Sequence, residues 1–174
     1  ENKQRPKEIS KELYSKARTE FNNGTNIEFD DFMIGWIGFM GSFNGRFFDG
    51  GYSGKTETRN YIDEQMRNTE KQVKLLHGAE FYSYDYDKLI YPDNSIIYCD
   101  TPYKNTKQYP TSKDFKQSKF WQWCRDMTLK GHTVFVSEYS APNDFKCIWS
   151  KEVTNSMHTT NTSKPTERLF LYCA

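Results

Sequence analysis

The chain has 174 residues, a length that suits one compact unit with a substantial core. Its formal net charge is only +1, so the composition neither requires nor forbids a polyanionic partner, and attraction to nucleic acid has to come from local clustering. Aromatic residues make up 17% while the mean hydropathy is −0.91, and no apolar run is long enough to span a bilayer, so no membrane partner is expected.

Pro6 to Asn22 alternates charges with Ile9, Leu13 and Ala17 at helical spacing and predicts a solvated amphipathic helix stopped by Asn22-Asn23-Gly24. Asp30 or Asp31 then caps a second helix through Met33, Ile34, Trp36, Ile37 and Phe39, apolar nearly all round and therefore buried. Its glycines, Gly35, Gly38 and Gly41, lie inside an apolar run rather than between a strand and a polar helix start. Close packing explains them better than a cofactor loop does. The segment Ser42 to Lys55 reads as a turn-rich loop with exposed aromatics. From Thr58 to Leu76, Ile62, Met66, Thr69, Val73 and Leu76 recur every three or four residues and predict a helix whose pattern core packing accounts for.

After Gly78 the pattern changes to short β-prone runs at Glu80 to Tyr84, Ser95 to Cys99 and Thr133 to Ser137. A helix with Phe120, Trp123, Cys124 and Met127 on one stripe separates the last two, the order expected of a parallel α/β sheet. Cys147 to Val153 and Arg168 to Cys173 read as two late strands, a terminal hairpin joined by the polar stretch Thr154 to Thr166. Cys99, Cys124, Cys147 and Cys173 lack the close pairing of zinc or redox motifs, and His77, His132 and His158 have no partners at ligand spacing. No metal is expected, and the cysteines read as reduced thiols of a cytoplasmic protein.

The segment Ser95 to Tyr103 is a buried-type strand that ends in an acid, a turn residue, a proline and an aromatic: Asp100, Thr101, Pro102 and Tyr103. Ligands of open parallel sheets bind just beyond such strand ends. An amine conjugated to an aromatic ring is a poor nucleophile because its lone pair is delocalised, and two acceptors aimed at its two hydrogens can hold it near tetrahedral. The Asp100 carboxylate supplies one acceptor and a carbonyl of the following turn the other, with Pro102 fixing the turn. Tyr103 can stack on a base, worth about 1 to 3 kcal/mol, comparable to the cost of flipping that base out of a duplex. Between Lys104 and Lys130 basic residues outnumber acidic ones, and Lys104 and Lys107 lie next to this turn. A phosphate contact and a solvated helix face are both open readings there. In the 42–55 loop, Ser42, Asn44, Arg46 and Lys55 have the chemistry for phosphate and base-edge contacts, with a structural glycine-aromatic loop as the rival.

The tetrapeptide Asp100-Thr101-Pro102-Tyr103 resembles the Asp-Pro-Pro-Tyr motif of amino-group DNA methyltransferases, with Thr101 in place of the first proline. Flanking stretches resemble phage-type members of the Dam-like DNA adenine methyltransferases: Ser42 to Phe48 with Gly50-Gly51-Tyr52, then Tyr84-Asp85-Tyr86, then Val136 to Tyr139 with Pro142 and Phe145. The resemblance implies a Rossmann-like α/β fold, S-adenosylmethionine as methyl donor and adenine of double-stranded DNA as substrate. It implies that Asp85, Tyr86 and Asp100 contact the cofactor, and that Asp100, the Thr101 carbonyl, Pro102 and Tyr103 hold the target base. The family's glycine-rich cofactor loop is not found, and motif order would place it before Glu1. The expectation is therefore a fold incomplete at its amino terminus, a carboxyl-terminal portion or a natural truncation, in which residues 1–174 form one methyltransferase domain. Within it, 24–78 would serve DNA recognition and 79–174 catalysis, in a bacterial or phage-infected cell and in a restriction-modification setting. The rivals are a noncatalytic DNA-binding or interaction module derived from a methylase, and an enzyme of the same kind acting on RNA or on protein glutamine.

Overall fold

The computed structural model describes residues 5–104, 114–153 and 166–173. Lys107 and His158, singled out above, lie outside the described residues. Rather than one core the chain builds two, in compact units spanning Glu1–Phe81 and Tyr82–Ala174.

The first unit is helical. Helix α1 spans Lys11–Asn23 and starts later than the periodicity predicts, because the Ser10 hydroxyl accepts from the Leu13 N–H at 3.1 Å and caps it there; Ile9 ahead of the cap is still buried. Gly24, in the left-handed region at φ 65°, closes it. Helix α2 spans Asp31–Gly41, and Asp30 is the cap, its carboxylate accepting from Met33 N at 2.8 Å. Packing accounts for two of its three glycines: a Cβ on Gly38 would collide with the Phe47 ring, and one on Gly41 would come within 2.9 Å of the Tyr14 ring. Nothing lies close to Gly35.

The loop after α2 corrects the reading of exposed aromatics. A 3-10 turn at Phe43–Gly45 and a bridge between Ser42 and Tyr52 fold it back, so that Phe48 is buried and Phe47 half-buried among Phe21, Phe39 and the Gly38 gap. Of the large apolar side chains there, Phe43 stays exposed. Helix α3 spans Tyr61–Val73 behind the Asn60 cap, with a 3-10 turn at Lys74–Leu76. Its apolar stripe is covered only in its first half. Ile62 is buried and Met66 packs on the core, but Val73 and Leu76 are exposed, so core packing does not explain the whole helix surface.

The second unit is a four-stranded sheet with a helix on one face. Residues 80–84 form no strand, against expectation: no neighbouring strand pairs with them, and Phe81, Tyr82 and Tyr84 are exposed. Strand β1 (Ile96–Asp100) pairs in parallel with β2 (Thr133–Glu138), connected through helix α4 (Gln117–Leu129). Strands β3 (Phe145–Glu152) and β4 (Thr166–Tyr172) form the expected antiparallel hairpin, and β4 inserts beside β2 to give the order β1-β2-β4-β3. Phe120, Trp121, Cys124 and Met127 of α4 bury Ile97, Val134, Val136 and Phe170 beneath them. Trp121 takes the buried place expected of Trp123, which packs at the edge of the cluster.

Side-chain alternation along β1 puts Ile97 and Cys99 under α4 and sends Ile96, Tyr98 and Asp100 to the other face. Strands of a parallel sheet are usually covered on both sides, yet Ile96 is 76% and Tyr98 63% exposed. His132 occupies a satisfied core position, its Nδ1 accepting from Ser95 N at 3.2 Å.

Candidate active site

The turn that follows β1 is held by the two elements beside it. In the parallel ladder Asp100 is the register partner of Ser137, so both side chains point to the open face of the sheet. The Tyr103 hydroxyl is 2.5 Å from Ser137 Oγ, which fastens the tyrosine next to Asp100. Its ring meets Tyr139 edge-on, centroids 4.7 Å apart. Burial raises the Tyr103 hydroxyl pKa above the ordinary tyrosine value, a rise that the bond to Ser137 opposes.

From the other face comes Glu138, the last residue of β2 and only 1% exposed. Its Oε1 accepts from the Lys104 N–H and its Oε2 from the Tyr139 N–H, each at 2.5 Å. A buried carboxylate satisfied by two backbone donors is a strong local clamp, because charge-assisted hydrogen bonds roughly double the strength of neutral ones. Gln117, at the start of α4, donates to the Pro102 carbonyl at 3.0 Å. Arg168, opposite Glu138 in the ladder, donates to the Tyr139 carbonyl at 2.6 Å. Glu138, Ser137 and Gln117 were not singled out as site residues in the sequence. The available signals were the family-like stretch Val136 to Tyr139 and a β2 strand ending in an acid one residue beyond the register partner of Asp100.

What this frame leaves open matters as much. Asp100 is exposed, and its carboxylate makes no hydrogen bond among the described residues. The Thr101 hydroxyl oxygen is buried and lacks a hydrogen-bond partner in the structure. On the α4 side of β1 the neighbouring Cys124 thiol draws the Cys99 pKa below the ordinary thiol value, while Cys99 and burial push that of Cys124 up; all four cysteines are free.

Of the expected cofactor contacts, Asp85 is exposed. The Tyr86 ring packs against Phe115, Phe120 and Trp123, burial raises its hydroxyl pKa, and its carbonyl accepts from the Tyr91 hydroxyl at 2.9 Å. Of the expected DNA contacts, Ser42 requires correction. It is 0% exposed, lies 3.2 Å from the Tyr14 hydroxyl and accepts from Phe48 N at 2.9 Å, so it holds the loop together and cannot reach DNA. Asn44, Arg46, Lys55 and Lys104 are exposed, with Arg46 ion-paired to Asp49. In the basic segment after Lys104, Lys119 is bound to Asp87 at 2.6 Å and Arg125 to Asp144 at 2.6 and 2.9 Å, so these two cations are already engaged.

Among the described residues no helix is long and apolar enough to cross a membrane, and no group of His, Cys, Asp or Glu is arranged to hold a metal ion. No individual curated protein matches the chain. The family described as D12 class N6 adenine-specific DNA methyltransferase matches residues 1–166, nearly the whole length, including the clamped turn at Asp100. The chain therefore belongs to the D12 class N6 adenine-specific DNA methyltransferases, enzymes that methylate adenine in DNA.

Proposed function

We propose that this chain uses S-adenosylmethionine to methylate the exocyclic amine of an adenine flipped out of double-stranded DNA, and that the Asp100–Tyr103 turn receives the base. The observation that carries this reading is a backbone turn pinned at Pro102, Tyr103 and Lys104 while the Asp100 carboxylate is left unengaged. The Asp100 carboxylate accepts one amine hydrogen. The Thr101 carbonyl, which accepts from no described donor, takes the other. Together they hold the nitrogen lone pair out of conjugation with the ring. Tyr103 supplies the stacking surface, and because Asp100 is exposed the amine proton can leave to solvent.

The turn suits the cofactor in that the buried Thr101 hydroxyl, unpartnered among the described residues, and the unengaged Asp100 carboxylate offer polar contacts. Asp100 and Asp85 would hold it, with Tyr86 anchoring the segment in the core. When bound, the cofactor supplies an electrophilic methyl group. The order β1-β2-β4-β3, with β1 and β2 parallel, supports reading the sheet as Rossmann-like. In this reading residues 24–78 recognise DNA through Asn44, Arg46 and Lys55, residues 79–174 carry the chemistry, and Lys104 with Lys107 contacts phosphate. The setting is the cytoplasm of a bacterial or phage-infected cell, and restriction-modification is the corresponding role.

The test is transfer of labelled methyl from S-adenosylmethionine to duplex DNA, with N6-methyladenine identified in the digest. Asp100→Ala should lower the single-turnover rate at least ~100-fold with little change in DNA affinity, on the scale of losing one oriented electrostatic group. Near-normal methylation by the variant would sink the assignment of Asp100.

A further inference from the structure

Within the first unit, helix α3 and the residues folded back after α2 form a cleft of about 370 Å³, and of its lining the reading above uses only Asn44. Tyr61, Gln65, Asn68 and Gln72 line it, at spacings of four, three and four residues, so they form one stripe along α3. This stripe lies beside the apolar one that carries Ile62 and Met66. Asn44 faces it from the 3-10 turn, its backbone set in the left-handed region at φ 53°. Four amide side chains thus converge on one surface.

Their bonding leaves them available. Gln65 Nε2 donates to the Phe39 carbonyl at 2.9 Å, which fixes that side chain and leaves its oxygen free to accept. Asn68 and Gln72 are exposed and make no side-chain hydrogen bond among the described residues. The carboxylate in the cleft, Glu64, is neutralised by Arg59 through two bonds of 2.7 Å, and the Arg59 guanidinium lies 5.0 Å from the Tyr61 ring centroid. Lys55, exposed and bridged to Asn60 at the start of α3, places a cation at the same end.

We infer that this stripe is a base-reading face: α3 enters the DNA major groove and Asn68 and Gln72 determine sequence specificity. The inference rests on the proposal that the chain acts on duplex DNA. An amide offers a donor and an acceptor side by side, the pattern that pairs with the N7 and N6 edge of adenine. A helix of 13 residues is about 20 Å long, and the groove is about 12 Å wide, enough to admit it. Lys55 stands at the amino-terminal end of α3, where phosphates flanking the groove would pass.

The test is selection from a duplex library with randomised positions, using the full chain. Wild type should enrich a defined motif. Asn68→Ala with Gln72→Ala removes no charge, so affinity for an arbitrary duplex and its salt dependence should stay within ~2-fold. Affinity for the wild-type motif should fall at least ~5-fold, with preference lost at one or two base pairs. Asn68→Asp, nearly the same shape, turns the donor into an acceptor and should shift preference at its base pair from adenine toward cytosine. Both positions are exposed, so thermal midpoints should be unchanged. Variants that select the wild-type motif with wild-type affinity would overturn the inference and leave the proposed activity standing. A wild-type chain that enriches no duplex at all would overturn both.

Discussion

Glu138→Gln isolates the clamp on the proposed active-site turn. In the native protein the carboxylate accepts from Lys104 N and Tyr139 N, one oxygen to each, with almost no solvent access. Glutamine keeps one oxygen and turns an amide donor toward the other N–H, so one charge-assisted bond worth about 1.5–3 kcal/mol is lost and the other becomes neutral. Relief from burying an ionised carboxylate acts in the opposite sense. The net loss should be about 2 kcal/mol, and in a unit of this size that lowers the thermal midpoint by about 8–16 °C. Catalysis should suffer separately. Misplacing a reacting group by about 1 Å can cost on the order of 100-fold in rate, and Lys104 N is the tether that fixes the far end of the turn. The assays are thermal unfolding followed by circular dichroism and single-turnover methyl transfer below the variant's midpoint. A midpoint within about 2 °C of wild type together with a normal single-turnover rate would refute the clamp.

Tyr103→Ala should reduce unstacking of a fluorescent adenine analogue at the target position, while Tyr103→Phe, which loses the bond to Ser137 and keeps the ring, should retain most of it; equal signals from both variants would show that the ring does not stack on the base. Ser42→Ala leaves the buried Phe48 N–H without its acceptor and should destabilise the first unit by about 1–3 kcal/mol with DNA affinity unchanged, whereas a specific loss of DNA binding would restore Ser42 as a contact. The bonds from Arg125 hold the Asp144 carboxyl below the ordinary carboxylate range. Its contribution is therefore complete above the unfolded-state pKa and lost as pH falls through the lower folded one. Thermal midpoints of wild type and Asp144→Asn should converge in that acid window, and a gap that stays constant with pH would contradict the pairing.

The strand-acid-turn-proline-aromatic run at Ser95 to Tyr103 was legible because it is local: apolar residues specify the strand, and Thr101-Pro102 stops it. The same holds for helices α1 to α4, whose caps and periodicities lie within a few residues of one another. Helix α1 began later than its periodicity because one hydroxyl at Ser10 claimed the N-terminal position. Glu80 to Tyr84 read as a strand on propensity alone, but a strand exists only where a partner satisfies its backbone, and none pairs with it. Ser42 looked like a polar loop residue. Only folding shows that its hydroxyl is enclosed by Tyr14 and Phe48, residues 28 and 6 positions away. Glu138 lies 34 positions from Lys104, and nothing near it in sequence distinguishes a clamp from a surface acid. The amides of α3 show the same limit, since helical periodicity identifies the apolar stripe and says nothing about what the adjacent stripe faces. Local chemistry thus determined the elements and the turn proposed to receive the base. Which side chains became buried partners was decided by the β1–β2 register, the crossover through α4 and the fold of the 42–55 loop, because these bring together residues that the chain itself keeps apart.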